Sequence, residues 1–274
     1  MKFAESHLDW LCELMADAAR KEIMPRFRRL SANDIREKTS ALDVVTDADV
    51  NAERHMTAAL RERYPDALIV GEEAYAEDER VLEGLRGAAL AFVLDPVDGT
   101  YNFAAGVAPF GVMMAVVVNG ETVAGIIHDP LGEDWVVGVK GGGSHLRGGG
   151  SETAIHVAKS EPLGEMVGNV GWQYMQEPER TILARNARKV LGTFGYRCAA
   201  QEYRLLASGY GHFGIYNKLM PWDHLPGLLI HSEAGGYNAR FDGSAYVPGD
   251  TTGGLLVAPD RAAWEAVRSG LWAD

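Results

Sequence analysis

Residues 95–103 read DPVDGTYNF and follow directly on the apolar run from Ala89 to Leu94. The run has the length and composition of a buried strand, and Asp95-Pro96 stops it. Pro96 forces a turn, which brings Asp98 back toward Asp95. Two carboxylates held close repel, so one takes up a proton unless a cation lies between them. Oxygen donors with no His or Cys nearby suit Mg²⁺ rather than Zn²⁺. Gly99-Thr100 comes next, and glycine permits a turn that aims backbone N–H groups at an anion. Taken alone, Asp95 and Asp98 also fit an Asx turn.

Three other acidic clusters share this placement, each where a strand ends or a helix begins. EKTSALDVVTDAD (37–49) holds Asp43, Asp47 and Asp49; Gly71-Glu72-Glu73 follows a short strand at 67–70; PWDHLPGLLIHSEAGG (221–236) holds Asp223. Each has a structural reading of its own. Thr46 with Asp49 fits a capping box at the start of a helix over 47–63. Glu72 and Glu73 fit solvated loop charges, and Asp223 fits a helix N-cap with Pro226 in the first turn. Their occurrence together in one chain carries more weight than any one of them.

The rest of the chain alternates. An N-terminal helical stripe runs through Leu8, Leu11, Met15, Ala18 and Ala19, and Ile23, Phe27 and Leu30 extend it. FGVMMAVVV (110–118), Asn119-Gly120 and ETVAGIIHD (121–129) read as a β-hairpin, with a further strand at 133–139 and two triple-glycine turns flanking 144–147. The second half alternates strands near 166–171, 194–199 and 212–217 with helices at 178–191 and 201–208. Strands at 237–241 and 254–258 and a helix at 261–270 finish it. The pattern is α/β with a mixed sheet in each half, 1–150 and 151–274.

The 274 residues are 47% hydrophobic and 23% charged, an ordinary globular balance. Their net charge of −12 argues against a nucleic-acid groove or an anionic membrane as partner. Cys12 and Cys198 stand in no metal or disulfide pattern. The acidic first twenty residues do not read as a signal peptide, and the longest apolar stretch, 110–118, is too short to span a bilayer. A cytoplasmic location is expected. The glycine-rich string GGGSHLRGGG (141–150) lacks a nucleotide-binding pattern and reads as turns.

The strings LDVVTDAD, GEE, DPVDGTYNF and PWDHLPGLLIHSEAGG, in this order, resemble the inositol monophosphatase family of Mg²⁺-dependent, lithium-sensitive phosphatases. The resemblance implies a layered αβαβα sandwich of the sugar-phosphatase type, commonly a homodimer, acting on a small-molecule phosphate ester. It implies that Glu72, Asp95, the carbonyl of Val97, Asp98 and Asp223 ligate two or three Mg²⁺ ions. It implies that Asp49 helps hold a third ion and, with Thr100, orients the attacking water. Gly99 and Thr100 would give N–H groups to the phosphate beside Asp98 and Asp223, and Lys38 would lie near the site with Glu73. Five carboxylates and a phosphate dianion sum to about −7, which three Mg²⁺ bring to about −1 and two to about −3.

Departures bear on the substrate. Family members that prefer inositol carry an acid seven residues before the WD aspartate, where this chain has Tyr216. His224 follows Asp223 where small residues are usual, on the first helical turn rather than in the core, and is a candidate phosphate or sugar contact. RCAAQEYRLLASG (197–209) brings Gln201, Glu202 and Arg204 to a small-residue helix start, and Trp172 and Tyr174 are candidates for the substrate mouth. Histidinol-phosphate phosphatase, fructose-1,6-bisphosphatase and 3′-phosphoadenosine phosphatase activities are alternatives. A regulatory or scaffolding protein that keeps the fold is the non-enzymatic one.

Overall fold

The apolar stripe at the N-terminus becomes the buried face of α1 (Glu5–Ala18) in the computed structural model, which describes residues 5–40 and 43–272. The helix is shorter than its stripe. A wider turn takes over at Ala19–Ile23, and Arg28 adopts φ 60, yet Phe27 still packs on the rings of Phe103 and Phe110. A hairpin of β1 (Ile35–Ser40) and β2 (Asp43–Thr46) leads into α2 (Asp47–Arg63). β3 (Leu68–Gly71) turns straight into α3 (Glu72–Glu77), and β4 (Ala91–Asp98) into the single turn α4 (Thr100–Ala104).

A meander follows: β5 (Gly111–Val118), β6 (Glu121–Asp129), β7 (Asp134–Val139), β8 (Gly143–Gly148) and β9 (Ser151–Ala154). With β3 and β4 these make a seven-stranded sheet in sequence order, antiparallel except for the β3–β4 pair. The second half runs β10 (Val167–Val170), α5 (Glu179–Asn186), β11 (Gly192–Phe194), α6 (Ala199–Ala207) and β12 (Phe213–Tyr216). It closes with α7 (Pro221–Glu233), β13 (Tyr237–Arg240), β14 (Leu255–Ala258) and α8 (Arg261–Leu271). Its five strands form a mixed sheet in the order β11-β10-β12-β14-β13. A cut after residue 150 would remove β9 from its sheet. The sheets change over between Ala154 and Val167, because Ser151–Ala154 pairs with Gly143–Gly148.

The layers follow from which faces are apolar. α1 and α2 cover one face of the seven-stranded sheet around Leu11, Met56, Phe92 and Met114. α6 and α7 lie between the two sheets, and α5 and α8 cover the far face of the five-stranded one around Phe213 and Trp264. This is the expected αβαβα order. No described helix is long and apolar enough to cross a membrane.

α7 lies close to the sheet because β6 offers no side chain at Gly125. A Cβ there would strike the carbonyl of Pro226, and one at Gly138 would stand 2.9 Å from the Cα of Ile230. Because the obstructing atoms are backbone, relief requires the helix itself to shift. Gly125→Ala is therefore expected to cost about 3 kcal/mol, read as a lower urea midpoint at unchanged slope.

Candidate active site

The ends of β4 and α7 bring one carboxylate oxygen each from Asp95, Asp98 and Asp223 within 4.8 Å of one another. β4 does not stop at Asp95. It runs on through Pro96 to Asp98 with a break in register against β5 between the two aspartates. A bulge tolerates proline inside a sheet and turns both acids toward one point. Asp95 also accepts the N–H of Val97 at 3.1 Å, so the local Asx-type contact and the clustering coexist. Asp223 is not the N-cap of α7, which begins at Pro221; it sits in the first turn, where free N–H groups favour negative charge.

These three acids line a cleft of about 160 Å³ with Glu72, Val97, Gly99, Thr100 and Asp43. Burial, then the Glu72 and Asp98 carboxylates, push Asp95 well above the usual carboxylate range. Burial also lifts Asp98 to about 6, although the N–H of Ala200 and the thiol of Cys198 favour its charged form. Asp223 is pushed up to about 8 by burial and by Asp98 and Glu72, against the opposing field of Lys218. Mutually repelling hard oxygen donors fit a divalent cation such as Mg²⁺. Glu72 lines the same cleft but stands outside the triplet, and Lys38 Nζ lies 3.0 Å from its Oε1.

The remaining candidates divide. Lys38 also holds Glu73 at 2.6 Å. Burial alone would lower the pKa of Lys38, but the two glutamates outweigh it and hold the ammonium above its usual range. Gly99 takes φ 83 and places Thr100 at the first position of α4. The Thr100 hydroxyl lies 2.9 Å from both Asp49 Oδ1 and the Val97 carbonyl.

Asp49 is fully buried and does not line the cleft. Its Oδ2 accepts the backbone N–H and hydroxyl of Thr46, so the capping box forms, and its Oδ1 reaches the cleft only through Thr100. Burial raises Asp49 to about 6.

His224 is on the first turns of α7 as expected, but it is in the core. Its Nε2 lies 2.9 Å from the Lys218 carbonyl, which can only accept, so Nε2 carries the proton. Nδ1 then accepts the Tyr203 hydroxyl proton at 3.0 Å, and burial lowers the ring to about 4. A neutral imidazole with both nitrogens engaged offers nothing to a phosphate. Tyr216 is a buried wall stacked on Tyr203 at 5.3 Å. Tyr174 lines the cleft; Trp172 does not.

Two residues behind the site carry weight that the motifs do not show. The buried Glu53 carboxylate accepts the N–H groups of Glu73 and Ala74 at 2.8 and 2.9 Å and lies where a Cβ on Gly71 would go. It thereby fixes the direction in which Glu72 leaves β3. Its place four residues after Asp49, on the same helix face, is the sequence signal that could have found it. Glu53→Ala is expected to cost about 2–4 kcal/mol by orphaning two donors, measured by denaturant unfolding. Glu202, 5% exposed, accepts the Asn169 amide at 2.8 Å and the Tyr196 N–H at 2.9 Å.

A profile of the inositol monophosphatase family matches residues 5–272. A fructose-1,6-bisphosphatase/inositol-1-monophosphatase of Thermotoga maritima is 30% identical over 215 residues, covering 77% of each chain. A Nus factor SuhB of Pasteurella multocida is 31% identical over 229 residues, covering 81% of this chain and 80% of its own. An inositol monophosphatase structure from Zymomonas mobilis superposes with a TM-score of 0.80 at 25% identity, covering 99% of this chain and all of that one.

Proposed function

The chain belongs to the inositol monophosphatase family, and from that premise we propose that it hydrolyses a small polyol or sugar phosphate monoester with two or three Mg²⁺ ions. The observation that carries this reading is the convergence of Asp95, Asp98 and Asp223 within 4.8 Å. With Glu72 and the Val97 carbonyl they would hold the ions. Bound there, Mg²⁺ lowers the pKa of a water and offsets charge on the phosphate and the leaving oxygen.

The chain's own groups supply position. Thr100, held by Asp49, offers its hydroxyl oxygen at the cleft wall and orients the water; Asp49 acts through it. The first N–H groups of α4 have no acceptor inside the helix and face the phosphate. Lys38 pairs with both Glu72 and Glu73 and holds the two carboxylates in place. Together with the metal these terms must supply on the order of 20 kcal/mol or more.

The test is a panel of phosphate esters with Mg²⁺ and with chelator. Release of phosphate from several small esters, lost on chelation, is the expected result. The relatives named Nus factor favour a second reading, in which the chain keeps the fold and works by binding a partner. Failure to cleave any ester with Mg²⁺ present would select it. A homodimer in the cytoplasm completes the proposal, and light scattering checks the dimer.

A further inference from the structure

The cleft that gathers the acids has two cations in its wall, Arg197 and Lys218, together with Tyr101, Tyr174 and Asn217. Arg197 has φ 54, a conformation that costs a non-glycine residue energy and needs holding from outside. The adjacent residue is gripped from two sides. The buried Glu202 carboxylate accepts the Tyr196 N–H, and the Asn102 side-chain amide donates to the Tyr196 carbonyl at 2.7 Å. So fixed, the Arg197 guanidinium lies 3.9 Å from the centre of the Tyr101 ring, one residue beyond Thr100. A guanidinium lying against an aromatic face keeps its N–H edge open for a bidentate anion. No carboxylate among the described residues pairs with it.

Lys218 sits between β12 and α7, in a turn whose carbonyl is tied to His224. Its side chain is exposed, and no described carboxylate lies within ion-pair distance of it. Tyr174 lines the same cleft as both cations. Lys218 lies in the field of Asp223, Asp43 and Glu72, yet neither cation forms an ion pair with a described carboxylate, so both are open to a further negative group on the same wall.

We propose that Arg197 and Lys218 form a second anion-binding subsite, so that the ester taken by this cleft carries a carboxylate or a further phosphate besides the phosphate to be cleaved. This deepens the phosphohydrolase reading and rests on it.

Three synthetic esters of one chain length decide: butane-1,4-diol monophosphate, 4-phosphooxybutanoate and butane-1,4-diol bisphosphate. The anion-ended esters are expected to exceed the hydroxyl-ended one in kcat/KM by about ten- to hundredfold, chiefly through KM. The better of the two identifies carboxylate or phosphate as the second group. In the R197Q/K218M double variant the ratio should fall toward one, and R197K should recover part of it.

Equal kcat/KM for all three esters overturns the proposal. So does a double variant that loses all three activities equally, which marks a structural role. A changed Mg²⁺ affinity by calorimetry with the preference intact also overturns it, since the cations would then only balance the acids. If none of the esters is cleaved, the phosphohydrolase reading falls by itself. Calorimetric binding of the same three compounds to the Mg²⁺-loaded protein then decides on the subsite: tighter binding of the anion-ended pair supports it, equal binding overturns it.

Discussion

The Asp95→Asn protein is expected to turn over at less than about a thousandth of the parent rate with Mg²⁺ present, and to melt higher than the parent when both are metal-free. Both effects have one cause. Asp95 is 1% exposed, and the fields of Glu72, Asp98 and Asp223 converge on it. An amide of the same shape removes a repelled charge, and its side-chain oxygen still accepts the Val97 N–H, so the bulge in β4 keeps its local bond. The same change removes a hard anionic donor, so added Mg²⁺ should raise the variant's melting temperature less than the parent's. A variant with parent activity would take Asp95 out of the mechanism. A metal-free variant that melts below the parent would mean that the cluster is not under electrostatic strain.

Metal-free protein should lose stability between pH 7 and 9, and Mg²⁺ should recover much of the loss. Burial raises Asp223 and Glu202 each to about 8. An unfolded carboxyl has lost its proton by about pH 5, so above that the folded state binds more protons than the unfolded one. Stability then falls as pH rises through the folded pKa. The two groups together amount to about 3 kcal/mol over this interval, or roughly 6–12 °C in melting temperature. The buried His224 and His231, both lowered to about 4, act in the opposite sense, but only below the usual histidine range. An ion that holds Asp223 ionised removes its share of the slope, and Glu202→Gln removes the other. Identical slopes with chelator and with Mg²⁺ would show that the cluster binds no ion.

What could be read in the sequence was what local chemistry determines. The capping box at Thr46 and Asp49 set the start of α2, and Asn119-Gly120 set the β5–β6 hairpin. The four acidic strings marked the cleft, and the mixed sheets followed from their alternation with apolar runs. What was missed depends on distant partners. β1 is the polar string IREKTS and β9 is wholly exposed, so neither has the alternation of a half-buried strand; backbone pairing alone makes them strands. β11 ends at Phe194 instead of running to residue 199, because Glu202 claims the Tyr196 N–H. The full burial of Asp49 behind Thr100 also depends on such partners, since Thr46 and Thr100 take both of its oxygens. Glu53 and Lys218 lie in no motif, and Arg197 opens a string read only for its later residues; tertiary contacts give all three their places.

The close seating of α7 over Gly125 has a consequence for how the molecule is made. Strands β4 to β9 leave the ribosome well before the helix that shields one of their faces. Until synthesis has passed Glu233 only α6 can cover part of that apolar face, and over the same interval Asp95 and Asp98 wait for Asp223. The nascent protein therefore acquires its shield and its third acid in a single docking event, late in translation, and the exposed sheet before that event is where chaperones should be found.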